Sequence, residues 1–246
     1  MNDVKNEWFK TWFDSPFYAL LYKNRSFEEA AAFIDRIVVL DSLKEIHYIL
    51  DLACGRGRHA VHFHQKGFDV VGLDLSQNSI AFAKQFEKDG LVFEHGDMRY
   101  FALDRKFDAV FNLFTSFGYF LHLEENIKVL QNVNSHLKPN GLFILDYFNA
   151  EKVLSDLVPQ ETKIIEGVSF DIQKRVENGQ IVKTIDVHND GANLHFEERV
   201  QLIYASDFIS MLEQNGFKIL HTFGDYNLTS FDASNSERFI SIAQKI

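Results

Sequence analysis

The chain has 246 residues, 46% of them hydrophobic and 24% charged. That is the composition of an ordinary folded protein with room for one large core. Thirty-five acidic against 25 basic residues leave a net charge of -10, the wrong sign for broad contact with a phosphate backbone. One cysteine, 13 glycines and three prolines exclude a disulfide framework, a zinc ribbon and a collagen-like or Pro-rich chain.

The first 45 residues read as helical. Trp8 and Trp12 stand four apart, as do Phe9 and Phe13, so each pair shares a helix face. Pro16 marks a second helix start. Ser26 and Glu29 have capping-box spacing. Phe27, Ala30, Ala31, Ile34, Ile37 and Val38 then form an apolar stripe. A membrane-surface helix would need more basic residues, so packing onto a main domain is the expectation. Met1 to Glu7 lack the apolar run of a signal peptide, and no stretch approaches the roughly 20 apolar residues that span a bilayer. The expectation is a soluble, cytoplasmic protein.

Strand and helix signals then alternate. Apolar runs at Tyr48–Leu52, Asp69–Leu73, Leu91–Glu94, Phe107–Phe111 and Leu142–Leu145 read as strands. Helices are expected over Arg58–Lys66, from a Ser76 cap to about Lys88, and over Leu123–Leu137. The last closes at Lys138-Pro139-Asn140-Gly141. Short apolar strands between helices predict a doubly wound, mostly parallel sheet covered on both faces. Residues 161–203 change character. They alternate like strands and carry two hairpin signals, Asn178-Gly179 and Asp190-Gly191. A helix over 205–215 and two strands, Phe217–Phe223 and Phe239–Ala243, complete the chain. The predicted organisation is N-terminal helices over 1–45, an α/β domain over 46–160 and 204–246, and an antiparallel β insertion over 161–203.

The turn Asp51-Leu52-Ala53-Cys54-Gly55-Arg56-Gly57-Arg58 follows a strand and opens a helix, where doubly wound folds bind nucleotides. Gly55 and Gly57 let backbone approach a ligand closely. No third glycine follows Gly57 at dinucleotide spacing, which argues against an NAD-dependent oxidoreductase. A carboxylate at Asp51 suits a cationic or hydrogen-bonding ligand better than a pyrophosphate. Asp74 ends the second strand, where a carboxylate can accept from both hydroxyls of a ribose. Asp97, after the third, can accept from an adenine amine, with Met98 on the ring face.

Three blocks, Ile49 to Ala60, Val70 to Ser76 and His95 to Arg99, resemble the first three signature motifs of class I S-adenosylmethionine-dependent methyltransferases. Phe107 to Phe114 resembles their fourth-strand motif, and Leu137 to Gly141 the turn before the fifth strand. The likeness covers 47–146; the first glycine of the family's first motif is Ala53 here. The resemblance implies a Rossmann-like seven-stranded sheet with its last strand antiparallel, and S-adenosylmethionine across the strand ends. It places Asp51 near the cofactor's amino group, Ala53 and Gly55 against its methionine part, and Arg58 toward its carboxylate. Asp74, with Leu75 beside it, would bind the ribose. Asp97 and Met98 would hold the adenine, and Asn112 and Leu113 would flank the sulfonium end.

Methyl transfer from a sulfonium is an in-line displacement, so the chain chiefly has to align the partners. His122 is the candidate base, because its unperturbed pKa suits proton removal; Asp146 and Tyr147 are lesser candidates. The family's base-amine enzymes carry Asn/Asp-Pro-Pro-aromatic after the fourth strand. Asn112-Leu113-Phe114-Thr115 has no proline, and 161–203 holds eight acidic against five basic residues. The expected acceptor is a small molecule with an apolar or aromatic part, not a nucleic acid, under 161–203 as a lid. Phe117, Tyr119, Tyr147, Asn149 and Tyr226 are candidate acceptor residues. Methylation of protein or RNA, and cofactor binding without turnover, are the alternatives. His59, His62 and His64 lack ligand spacing for a metal. Cys54 reads as a small buried thiol, and Ser79 and Ser116 sit in no nucleophile elbow. A monomer or homodimer is expected.

Overall fold

A computed structural model describes residues 7–23 and 27–246. The Ser26–Glu29 cap and the side chains of Phe27 and Ala30 lie outside what it describes. Helices α1 (Trp8–Trp12), α2 (Pro16–Leu21) and α3 (Phe27–Ile37) come first. Pro16 opens α2 at its first position, and the Ser15 side chain accepts from the Phe17 amide at 3.2 Å. Pro is suited there because its missing N–H has no intrahelical partner anyway. Trp8, Phe9 and Trp12 are buried in the core rather than presented to a membrane surface. Among the described residues no helix is long and apolar enough to cross a bilayer.

The strands and helices that follow are β1 (Tyr48–Leu52), α4 (Arg58–Gln65), β2 (Asp69–Asp74), α5 (Gln77–Ala83), β3 (Leu91–His95), β4 (Phe107–Asn112), α6 (Leu123–His136) and β5 (Leu137–Phe148). After a short α7 (Ala150–Ser155) come β6 (Gln160–Ile165), β7 (Val168–Glu177), β8 (Gln180–Asn189) and β9 (Ala192–Gln201). The chain ends with α8 (Ala205–Gln214), β10 (Phe217–Phe223) and β11 (Arg238–Lys245). One sheet has seven strands in the order β10-β11-β5-β4-β1-β2-β3, with β11 antiparallel to both neighbours and the rest parallel. The other is a four-stranded antiparallel meander, β6 to β9.

The architecture is the expected one, and the differences are local. Ser76 caps α5 as read, its oxygen accepting from the Ser79 amide at 3.0 Å, but α5 ends at Ala83, and a 3-10 turn over 84–86 replaces the expected continuation to Lys88. The turn over 138–141 is absorbed into β5. The register slips there, from Phe107 opposite Leu137 to Ala109 opposite Leu142. Asn140, left-handed at φ 62°, takes up the irregularity. Helix α7 has no strong sequence signal beyond its Asn149 cap. In the meander both expected hairpins form with left-handed pairs at Asn178-Gly179 and Asp190-Gly191, and Glu166-Gly167 forms a third. That matches the geometry of two-residue hairpins, and Asn or Asp at the first position is the signal Glu166 lacks.

The meander is not held apart from the main sheet. Its buried Phe170, Ile172, Ile185 and Val187 share one apolar cluster with Val110 and Phe143 of the main sheet and Trp12 of α1. On the sheet's far edge Phe93 fills the space above β1 and β2. A Cβ at Gly72 would come within 2.6 Å of the Phe93 ring and 2.9 Å of the Cys54 sulfur, so glycine is required by close approach. Gly72→Ala is therefore expected to destabilise the fold by about 1–3 kcal/mol, the range for overpacking a filled core. Urea unfolding measures it; unchanged stability would show that Phe93 moves aside freely.

Candidate active site

The site grows out of the turn between β1 and α4. Ala53, Gly55 and Gly57 all have left-handed backbone, at φ 62°, 55° and 83°. For Ala53 this costs on the order of 1–2 kcal/mol, because an L side chain crowds the following carbonyl. The family's usual glycine would not bear that cost. At Gly55 an added Cβ would meet nothing within 4 Å. It would instead project into open space, the cradle a ligand would fill. The Gly55 amide donates to Asp74 Oδ2 at 2.8 Å, and the Ser76 amide to Asp74 Oδ1 at 2.7 Å. One carboxylate thus ties the first turn to the start of α5.

Above this turn lies an open cleft. Ala53, Gly55, Asp74, Leu75, Asp97 and Met98 line it. The strand ends therefore bring together six of the residues that the resemblance implied. Helices α1 and α2 add Phe9, Phe13 and Tyr18, and the segment after β4 adds Ser116, Tyr119 and Phe120. These were not assigned a cofactor role from sequence, since nothing local tells an aromatic wall from core packing.

Two buried carboxylates are strained electrostatically. Asp51 is 1% exposed and its Oδ2 has no hydrogen-bond partner. Burial pushes its pKa up to about 7, helped by the Asp74 charge and opposed by a backbone hydrogen bond at Ala60 and by Arg58. Asp74 is also raised, by burial, against the pull of the Ser76 and Gly55 amides. Asp97 differs. Burial alone would raise it, but Arg99 outweighs burial and holds it below the usual carboxylate range. Arg99 Nε and Nη2 meet Asp97 at 3.0 and 2.6 Å, and Nη1 meets Glu125 of α6 at 2.6 Å. Arg99 closes the third sequence motif, yet its role is visible only in the structure, where it joins Asp97 of the cleft wall to α6.

Asn112 is fully buried at the end of β4. Its Nδ2 donates to the Leu52 and Ser116 carbonyls, both at 3.1 Å, while its Oδ1 has no partner. Leu113 is buried in the neighbouring apolar cluster and does not line the cavity. Arg58 also stands off the lining, with its guanidinium carbon 4.1 Å over the Phe114 ring. His59 is buried beside the same ring, 5.1 Å away.

Of the candidate acceptor residues, only Tyr119 reaches a cavity. Phe117 is buried against Phe208, 5.6 Å between rings. Tyr147 lies fully inside, its hydroxyl donating to the Gln201 carbonyl at 2.5 Å. Asn149 caps α7, and its Nδ2 donates to the Ala233 and Ser236 carbonyls at 2.6 and 2.9 Å. Tyr226 stands one layer back, stacked on Phe114 at 5.1 Å, its hydroxyl on Asp146 at 3.0 Å. These four are core and capping groups because the protein's own aromatic and polar partners saturate them. His122, the candidate base, is the exposed N-cap of α6. Its amide donates to Glu125 Oε2 at 3.3 Å, and it lines neither this cavity nor its neighbour. Of the histidines clustered in sequence with His59, His62 meets Asp35 at 2.7 Å and His64 lies 3.2 Å from the Phe68 carbonyl.

A second, smaller space of about 360 Å³ adjoins the first and shares Phe13, Tyr18 and Tyr119 with it. Trp8, Tyr22, Phe114, Thr115, Glu198 and Val200 complete its walls.

The orphan oxygen of Asp51 gives a measurable pH dependence. Below about pH 7 the group is protonated and neutral; above it, it is a carboxylate able to pair with an ammonium. S-Adenosylhomocysteine affinity, by calorimetry, is expected to rise from about pH 6 to about pH 8, by at most about tenfold per unit. Asp51→Asn should flatten that rise. The same raised pKa means the ligand-free fold holds this proton more tightly than the unfolded chain. Its contribution to stability is therefore full below about pH 4 and is lost as the pH climbs through about 7. Identical pH profiles for the two proteins would remove Asp51 from the site.

Comparison with known proteins agrees with this geometry. Residues 49–141 match a family model described as a methyltransferase domain. The chain is 32% identical over 164 residues to dTDP-3-amino-3,4,6-trideoxy-alpha-D-glucopyranose N,N-dimethyltransferase of Streptomyces venezuelae, covering 64% of this chain and 69% of that one. It is 30% identical over 208 residues to the glycine/sarcosine N-methyltransferase of Halorhodospira halochloris, covering 80% and 75%. Among solved structures, an S-adenosylmethionine-dependent methyltransferase from Clostridium acetobutylicum ATCC 824 superposes with a TM-score of 0.79 at 21% identity, covering 92% of this chain and 95% of that one. CalS10 of Micromonospora echinaspora, an amino pentose methyltransferase with S-adenosylmethionine bound, superposes with a TM-score of 0.69 at 21% identity, covering 94% and 98%. The acidic strand ends, the open glycine cradle and these likenesses lead to one conclusion: the chain belongs to the S-adenosylmethionine-dependent methyltransferases.

Proposed function

We propose that this enzyme methylates an amine nitrogen of a small-molecule acceptor held in the smaller chamber. The observation that carries the reading is the chamber itself. It opens beside the cofactor cavity, its walls are mostly aromatic, and Glu198 is the charged side chain among the described lining residues. Aromatic faces suit an amine-bearing ligand with an apolar or planar body; the Glu198 carboxylate is itself held by Trp12, Tyr22 and Lys183. The relatives named as acting on an amino sugar and on glycine or sarcosine support the same chemistry.

A polyanionic acceptor finds little support. The basic side chains of the meander are already matched with acids. Lys163 and Lys174 meet Glu161 at 3.2 and 2.8 Å, Arg175 meets Glu177 at 2.9 Å, and Lys183 meets Glu198 at 3.3 Å. A surface so neutralised offers few counterions to release from a phosphate backbone.

S-Adenosylmethionine, when bound, supplies a methyl group already activated on a sulfonium. The chain's part is to bind, align and exclude water. Asp51 and Asp74 would hold the amino group and ribose, and Asp97 with Met98 the adenine. Asn112 bridges the ends of β1 and the segment after β4, which fixes the floor between the two cavities. A neutral amine carries its own lone pair, so no base has to act before attack. This agrees with the placement of His122 away from both cavities.

The test is transfer of a tritiated methyl group to glycine, sarcosine and a dTDP-3-amino sugar, each beside its hydroxy counterpart, and to total RNA and total protein. Label is expected in one or more amines and in none of the hydroxy compounds. Asp74→Ala should weaken cofactor binding roughly ten- to a hundredfold, as for losing a hydrogen bond to a charged group. Label recovered mainly in RNA or protein would overturn the reading.

A further inference from the structure

Asp146, at the end of β5, is fully buried. It is one of the acids read from sequence as a lesser base candidate, and its partners leave it no free lone pair facing a cavity. Arg238 of β11 meets its Oδ1 through Nε at 2.8 Å and Nη2 at 2.7 Å. Its Oδ2 accepts from the Phe114 amide at 2.7 Å and the Tyr226 hydroxyl at 3.0 Å. Its backbone carbonyl accepts from the Thr115 amide at 3.0 Å. Arg238 Nη2 also donates to Thr115 Oγ1 at 3.0 Å. Apart from the Tyr226 hydroxyl, every side-chain bond of the pair beyond its own salt bridge ends on two residues, Phe114 and Thr115.

Those two residues need holding. Both are left-handed, at φ 58° and 63°. Neither is glycine, and Thr115 is β-branched, a combination rarely populated unless its surroundings enforce it. Both line the smaller chamber. The Phe114 ring is sandwiched as well, with Tyr226 stacked at 5.1 Å and Arg58 over it at 4.1 Å.

We infer that the Asp146–Arg238 pair is a positioning device for methyl transfer: it holds Phe114 and Thr115 in the backbone conformation that shapes the acceptor's wall. The inference rests on the reading of the smaller chamber as the acceptor's. A role confined to joining β5 to β11 does not account for it, because those strands already pair without a break from Arg238 opposite Phe148 to Gln244 opposite Leu142. A buried ion pair adds little stability over well-packed apolar groups. Its direction is what distinguishes this one, since its spare hydrogen bonds reach the chamber wall and not the sheet.

The experiment compares Asp146→Asn and Arg238→Lys with the unmodified enzyme. The acceptor is whichever of glycine, sarcosine or the dTDP-3-amino sugar the unmodified enzyme methylates best. Asp146→Asn is expected to raise the acceptor KM at least tenfold while the S-adenosylhomocysteine Kd stays within twofold. Arg238→Lys keeps the charge but loses the fork, and should fall between; it also carries the test if Asp146→Asn does not fold. Cofactor affinity falling in step with acceptor use, or no change in either, would overturn the inference. Crystal structures of the variants with S-adenosylhomocysteine give a second readout, in which residues 114 and 115 should leave the left-handed region. If the unmodified enzyme labels none of the amines, the acceptor reading fails. The crystal readout then decides the pair's role alone, and an unchanged wall would overturn it.

Discussion

The cofactor side of this enzyme depends on one carboxylate that joins two strand ends. Asp74 accepts the Gly55 amide on one oxygen and the Ser76 amide on the other. The backbone from Ala53 to Gly57 turns left-handed three times, so it cannot satisfy its own amides as a helix would. Asp74 supplies that partner and fixes the distance between the turn after β1 and the start of α5. The cradle at Gly55 and the wall at Leu75 follow from that distance. Burial raises both Asp51 and Asp74, and the Asp74 charge adds to the rise at Asp51. Such a pair is better satisfied with a cation and hydroxyl donors beside it than without.

The cofactor half of the site was legible because its chemistry is local. An acid at a strand end, or a glycine in a turn, leaves its mark at a single position. Asp51, Gly55, Asp74 and Asp97 could be placed from the alternation of apolar runs and helices alone. The acceptor half was not legible, because 25 phenylalanines serve both core and cavity. Phe117 and Tyr119 follow the end of β4 and Tyr147 stands near the end of β5, yet of the three only Tyr119 lines the two spaces described above. What separates them is the packing of Phe208 from α8 and the carbonyl of Gln201, both distant along the chain. Phe9 and Phe13 were read as packing onto the main domain, because too few basic residues accompany them for a membrane surface, and Tyr18 carried no signal of its own. They do pack, but on a face that also walls the cavity. His122 was judged by its titration range, whereas position decides, and helix capping holds it at the surface.

The polar groups around the cavities join distant parts of the chain. Trp12 Nε1 and the Tyr22 hydroxyl donate to Glu198 at 2.6 and 2.9 Å, so the N-terminal helices are fastened to β9. Asp14 takes the Ser76 hydroxyl at 2.7 Å and the Asn78 amide at 2.9 Å, which fastens the same helices to α5. Arg99 ties Asp97 to α6. None of these pairs need contribute much to stability. Their effect is geometric, since each sets the position of a wall that a non-directional apolar contact would leave free to slide.

This gives the two halves of the site different kinds of construction. Around the cofactor, backbone amides and strand ends make the shape, and residues 49–141, the stretch matching the methyltransferase family model, contain nearly all of it. Around the smaller chamber, the walls come mostly from outside that stretch: Trp8, Phe13, Tyr18 and Tyr22 before it, Glu198 and Val200 after it. Only Phe114, Thr115 and Tyr119 come from within. At Phe114 and Thr115 the stretch that carries the strand ends itself reaches into the wall of the smaller chamber. That junction carries the strained backbone and the buried ion pair, because there a shift on one side would be felt on the other.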